Sequence, residues 1–182
     1  MDLSTGIKKI LDGEAILFVG AGFSQGAVNM RNKPLKMGSE LAEHFASLVG
    51  LSSATGLEDA TEAYSEDFGV DALIQEVQGE FTVKDVCPHH RYLAALPWKR
   101  VYTTNYDNVF EVASNLERQR LTSVTMGNDI YKIPKDHKLC VHFNGYVNFL
   151  DRTKIFHELK LTDSSYVTAA VSDSEWTSAI YE

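Results

Sequence analysis

Residues 15–19 read Ala-Ile-Leu-Phe-Val and run straight into Gly20-Ala21-Gly22. A continuous apolar run this short matches a strand covered on both faces, as in a parallel sheet. The Gly-x-Gly at its end sets a tight turn at the mouth of that sheet. There, main-chain N–H groups stand open to a ligand because no Cβ blocks the approach. Parallel strands also require crossover connections, so the remaining chain must supply helices between strands.

The rest of the sequence meets that demand. Leu3, Ile7, Ile10 and Leu11 recur at helical spacing, with Ser4 or Thr5 as the cap and Gly13 as the stop. Residues 27–38 read as irregular loop punctuated by Pro34 and Gly38, and Ser39 opens a helix whose face is Leu41, Phe45 and Leu48. Residues 56–96 read as mostly helical, the last helix beginning at Pro88 in its first turn. Trp98–Asn105 is the second strand, followed by a helix capped by Asp107 or Asn108. Thr122–Met126 and His137–Val147 are the third and fourth strands. The order is that of an α/β fold: a Rossmann-like parallel sheet with helices on both faces and a helical module, residues 39–97, inserted after the first strand. The tail, residues 161–182, reads as a helix without a closing strand, so the chain is expected to be the N-terminal part of a longer protein.

Composition narrows the function. The 182 residues are 44% hydrophobic and 23% charged, ordinary for one globular domain with a real core. A net charge of −8 with Lys and Arg scattered along the chain argues against direct nucleic-acid binding by this segment. Cys87 and Cys140 stand far apart, which excludes a four-cysteine zinc site and indicates no disulfide framework. No run approaches the length of a membrane span and the N-terminus lacks a signal peptide's apolar stretch, so no membrane partner and a reducing, cytoplasmic setting are expected.

The glycines fall at positions 20, 22 and 26, one residue longer than the usual dinucleotide fingerprint. The acidic residue that fingerprint requires about 20 positions on, at a second strand end, is missing, since Glu40 and Glu43 sit in a helical pattern. An ordinary dehydrogenase is therefore disfavoured. Thr103, Thr104, Asn105 and Asp107 stand at the C-terminal end of the second strand, the edge where open α/β sheets bind ligands. His142 and Asn144 share one face of the fourth strand just before Gly145.

Taken in order, Gly-Ala-Gly-Phe-Ser at 20–24, Thr-Thr-Asn-Tyr-Asp at 103–107 and a His before Gly145 resemble the sirtuin (silent information regulator) family. The resemblance spans about residues 14–150. Thr104 and Tyr106 replace the Gln and Ile usual in the second motif, and Asn144 stands directly before Gly145 where the family carries His, with His142 two residues earlier. The zinc-ribbon cysteine pairs of the deacylases are absent, as is their Pro-Asp-Phe-Arg segment. The chain is more similar to the zinc-free sirtuin-like domains of bacterial anti-phage proteins.

That resemblance implies an NAD glycohydrolase (NADase) that depletes NAD on activation during abortive infection. Residues Gly20, Ala21, Gly22, Phe23 and Ser24 would cradle the diphosphate, with Thr104, Asn144 and Gly145 completing the NAD site. Asn105 would hold ribose hydroxyls or water, Asp107 would accept from the nicotinamide amide, and His142 would act as base. NAD enters as substrate and no metal is implied. The implied partners are a second copy of the chain in a homo-oligomer and an activating phage component or sensor domain. Two alternatives remain beside it, an NAD-dependent protein deacylase and a non-catalytic NAD or ADP-ribose sensor.

Overall fold

A computed structural model describes residues 2–133, 138–157 and Trp176. Four parallel strands form the central sheet: β1 (Ile16–Val19), β4 (Arg100–Thr103), β5 (Leu121–Thr125) and β6 (Lys138–His142), in the order β1-β4-β6-β5. Between β1 and β4 lie β2 (Val28–Asn29), α2 (Gly38–Leu48), α3 (Leu57–Phe68), α4 (Val70–Phe81), β3 (Val83–Asp85) and α5 (Pro88–Ala95). Helix α1 (Leu3–Leu11) precedes the sheet, α6 (Val109–Leu116) connects β4 to β5, and α7 (Lys154–His157) follows β6. This is a Rossmann-like α/β architecture.

The two-residue period of the strands assigns side chains to the two faces. Leu17, Val101 and Cys140 point to one face and pack with Ala94 of α5, Phe110 and Ala113 of α6, and Ile10 of α1. Ile16, Tyr102, Leu139 and Val141 point to the other and pack with Phe143 and Trp176. Register is set residue by residue, Val19 beside Thr103 and Thr103 beside His142, so the three strand ends finish level.

Several expectations change. The apolar run of β1 is not covered on both faces throughout: it is a sheet edge, and Phe18 is 58% exposed while stacking on Phe143. Asp2, not Ser4 or Thr5, caps α1, its carboxylate accepting from Thr5 N at 2.8 Å. Helix α2 begins one residue before Ser39, and the Glu40 carboxylate accepts from Met37 N at 2.7 Å. Neither expected cap of α6 acts in the usual way. The Asn108 side chain accepts from Val83 N instead, and Asp107 accepts from Val109 N.

The inserted module is also smaller as a packing unit than residues 39–97. Leu41, Phe45, Leu73, Val77 and Phe81 close a core of α2, α3 and α4 against Tyr106, Tyr146 and Ile155, whereas α5 leaves that core and packs on α6 and the sheet. The loop before α2 is partly ordered as β2, paired antiparallel with β3. The helix expected over 161–182 lies outside the described residues except for Trp176, which is buried.

Candidate functional site at the ends of β1 and β4

β1 ends in Val19, and Gly20 continues extended before Ala21–Ser24 coil into a single 3-10 turn. Gly26 leaves that turn with φ +88°, a conformation open to glycine, and a Cβ there would stand 2.8 Å from Cys87 Sγ. The Cys87 thiol meanwhile donates to Gly26 O at 3.2 Å. No atom lies within 4 Å of a Cβ built on Gly22, so this glycine borders open space.

Asn105 ties the two strand ends together. Its Nδ2 donates to Gly20 O at 3.0 Å and to Ser24 Oγ at 2.7 Å, and the Ser24 hydroxyl in turn donates to Asp107 Oδ2 at 2.6 Å. The direction of this chain is fixed by its ends: a carbonyl and a carboxylate only accept. Both amide hydrogens of Asn105 are therefore spent on the glycine turn and its side-chain oxygen is left as an acceptor. Burial pushes the Asp107 carboxyl above its ordinary range, although the Ser24 and Val109 donors favour its charged form.

A cavity of about 630 Å³ opens over this chain. Ala21, Gly22, Ser24, Thr104, Asn105 and Asp107 line it from the strand ends, Leu35, Met37, Leu41, Leu57 and Phe81 give it an apolar wall, and Lys36 and Glu40 border it as well. The size falls within the range of pockets that enclose small ligands and cofactors, and the site sits where parallel strands end.

The residues singled out in the sequence divide into two groups. Ala21, Gly22, Ser24, Thr104, Asn105 and Asp107 line the cavity together. Gly20, Phe23, His142, Asn144 and Gly145 do not. The Phe23 ring turns inward against His90 and Phe110, at 5.0 and 5.9 Å between centroids. Asn144 Nδ2 donates to Thr104 O at 2.9 Å, and Gly145 has φ +92°. Asn144 thereby ties the turn after β6 to the end of β4.

His142 is 1% exposed and faces α6. Its Nδ1 lies 3.0 Å from Asn105 O and its Nε2 lies 2.8 Å from Glu111 Oε1. A carbonyl and an ionised carboxylate both accept, so a ring that donates to both is an imidazolium. Burial works against that charge, but the Glu111 carboxylate outweighs it and lifts His142 above its ordinary pKa. Burial likewise works to raise Glu111, and the His142 charge holds it below the usual carboxylate range. The two shifts agree on an ion pair. Ser123 Oγ adds a 2.7 Å hydrogen bond to the same Glu111 oxygen, and the Tyr146 ring stacks 4.2 Å from the imidazole.

Glu111, Cys140 and His142 bring an oxygen, a sulfur and a nitrogen within 4.8 Å of one another, a donor set that zinc accepts. In this structure Glu111 and His142 are joined directly. The 2.8 Å between Glu111 Oε1 and His142 Nε2 is a hydrogen-bond length, whereas two ligands on tetrahedral zinc stand about 3.3 Å apart. Burial raises the Cys140 thiol well above its ordinary pKa. A second cluster, His44 with Glu76 and Glu80, already holds the Arg31 guanidinium and the Lys36 ammonium.

Sequence reasoning missed Glu111 and His90. His90 accepts from Cys87 N at 2.9 Å and donates to Phe23 O at 2.6 Å, pinning the glycine turn to α5. Glu111 did leave a signal, as the lone acid in the apolar run Val109–Ala113. No family model matches this chain, and no curated protein matches it.

Proposed function

We propose that this protein hydrolyses the nicotinamide–ribose bond of NAD. The observation that carries the reading is the chain Asn105–Ser24–Asp107 at the polar wall of the cavity, joining a glycine turn to a strand end. Support also comes from the order of the three motifs, which resembles the zinc-free sirtuin-like domains of anti-phage proteins. In that setting the reaction depletes NAD on activation.

The chemistry asks little of the site beyond positioning. Water adds to C1′ of the ribose as the C–N bond breaks; the bonding pair leaves with the nicotinamide ring, cancelling its pyridinium charge, and water releases a proton to solvent. The leaving group departs neutral, so no strong acid is required, and the transition state is oxocarbenium-like, as in glycoside hydrolysis. Asn105 Oδ1 is the acceptor that orients the attacking water or a ribose hydroxyl. Each Asp107 oxygen keeps a lone pair for the nicotinamide amide, beside the bonds from Ser24 and Val109. Ala21 and Gly22 offer main chain to the diphosphate.

The test is nicotinamide release from NAD by the purified protein beside Asn105→Ala and Asp107→Asn. Loss of about 100-fold in both variants, each still unfolding in one cooperative transition, is the expected result. Equal turnover in all three overturns the assignment. A second reading has one observation in its favour: among the described residues, no imidazole lines the cavity. A site that holds NAD or ADP-ribose without cleaving it would bind either ligand by calorimetry and release no nicotinamide.

A further inference from the structure

The Asn105 main-chain carbonyl is held from behind. It accepts from His142 Nδ1 at 3.0 Å, and His142 is held in turn by Glu111 at 2.8 Å. Neither residue lines the cavity, and both are buried, His142 at 1% exposure and Glu111 at 8%. A buried ion pair costs desolvation that its own attraction often fails to recover, so placing one here needs a reason beyond stability. Its location supplies one. Among the described residues, His142 Nδ1 reaches the carbonyl of the residue whose side chain anchors the glycine turn.

Every element around the pair contributes to this hold. Ser123 of β5 fixes the bonded Glu111 oxygen, Cys140 of β6 lies 3.7 Å from His142 Nε2, and the Tyr146 face covers the imidazolium. Asp107 adds negative charge from the cavity side. Among the described residues Glu111 Oε2 has no hydrogen-bond partner, and the other oxygen serves both His142 and Ser123.

We propose that Glu111 and His142 act as a positioning couple: Glu111 orients His142, whose Nδ1–H grips the Asn105 carbonyl and fixes the Asn105–Ser24–Asp107 chain at the cavity. This rests on the reading of the site as hydrolytic only for its effect on turnover; the positioning itself is a property of the protein alone. It assigns His142 a place behind the reacting groups, where a base role would need direct contact.

Two double variants separate these roles. In Glu111→Gln with His142→Asn, the Asn amide nitrogen stands as many bonds from Cβ as Nδ1, so the donor to Asn105 survives without charge. In Glu111→Gln with His142→Ala, the donor is gone. The second is expected to lose about 100-fold in kcat with little change in ligand affinity, and the first to stay within about tenfold of wild type. Hydrogen exchange over residues 103–109 should remain protected in the first and lose protection in the second. Equal loss of turnover in both with protection kept in both overturns the proposal and returns His142 to a base. If wild type releases no nicotinamide, the hydrolytic reading fails, and the exchange comparison still decides the positioning: unchanged protection in both variants overturns it. Should either variant fail to fold, the wild-type nitrogen–proton spectrum decides, with two His142 ring N–H signals at neutral pH expected and one overturning the couple.

Discussion

Gly22 and Gly26 sit four positions apart in one turn and have opposite tolerances. Gly26 combines a positive φ with a Cys87 sulfur 2.8 Å from any added Cβ, so Gly26→Ala should cost about 1–3 kcal/mol, read as a lower urea midpoint. Gly22 faces open space, and Gly22→Ala should leave that midpoint unchanged while weakening ligand binding, because the new methyl enters the cavity. At the Glu111–His142 pair the sign follows from the two shifts. The Glu111 contribution is present above its unfolded pKa of about 4.3 and fades as pH falls through its lower folded value. The His142 contribution is complete below about 6.5 and fades as pH rises through its higher folded value. Urea midpoints should therefore fall on the alkaline side in wild type, and that slope should flatten in Glu111→Gln with His142→Asn. In the sequence, the period of two correctly paired His142 with its strand face. It does not say which face meets a cavity and which meets a helix, so that His142 faces α6 is visible only in the fold.

Among the elements, the strands were legible and the small ladder was not. β1 and β4 stand out as apolar or β-branched runs ending in turn residues, whereas β2 and β3 are two and three residues long and are paired from distant parts of the chain. What holds that ladder to α4 is equally long-range. Arg31 reaches Glu80 at 2.8 Å and both oxygens of Glu76, Lys36 pairs with Glu80, and Asn29 Nδ2 donates to Glu80 O at 3.2 Å. Gly79 makes room, since a Cβ there would fall on the Arg31 guanidinium. Arg31 beside it holds Glu76 down at about 2. Its contribution is thus present above the ordinary carboxylate range and lost as pH falls toward that value. Arg31→Ala leaves the buried Glu80 with Lys36 alone and should lower stability by about 3 kcal/mol in urea denaturation. No local pattern in Met30–Lys36 announces these partners, because each lies more than forty positions away.

At the scale of the molecule, the cavity is shared between the sheet and the inserted helices, with walls from the glycine turn, the Pro34–Leu41 segment, Leu57, Phe81 and the end of β4. A ligand there should therefore bind both bodies at once. At a concentration about 100 times its dissociation constant it adds roughly 2.7 kcal/mol to the folded state, visible in calorimetry as one shifted transition. Two separate transitions, only one of them shifted, would show the bodies to be uncoupled. The α/β order and the insertion after β1 were readable because strands and helices alternate in the chain. That α5 belongs to the sheet layer was not, since its Ala94 and Leu93 are apolar in the same way as the module's own residues.

The bond from Ser24 to Asp107 joins residues 83 positions apart, and that from Asn105 to Gly20 joins residues 85 apart. Closing a loop of that length costs chain entropy before the contacts that offset it have formed. Local helices of the insertion can fold early, but β1 has no neighbour until β4 has been made and brought alongside. A nascent chain therefore carries a glycine turn for some time without the β4 end that completes the cavity wall.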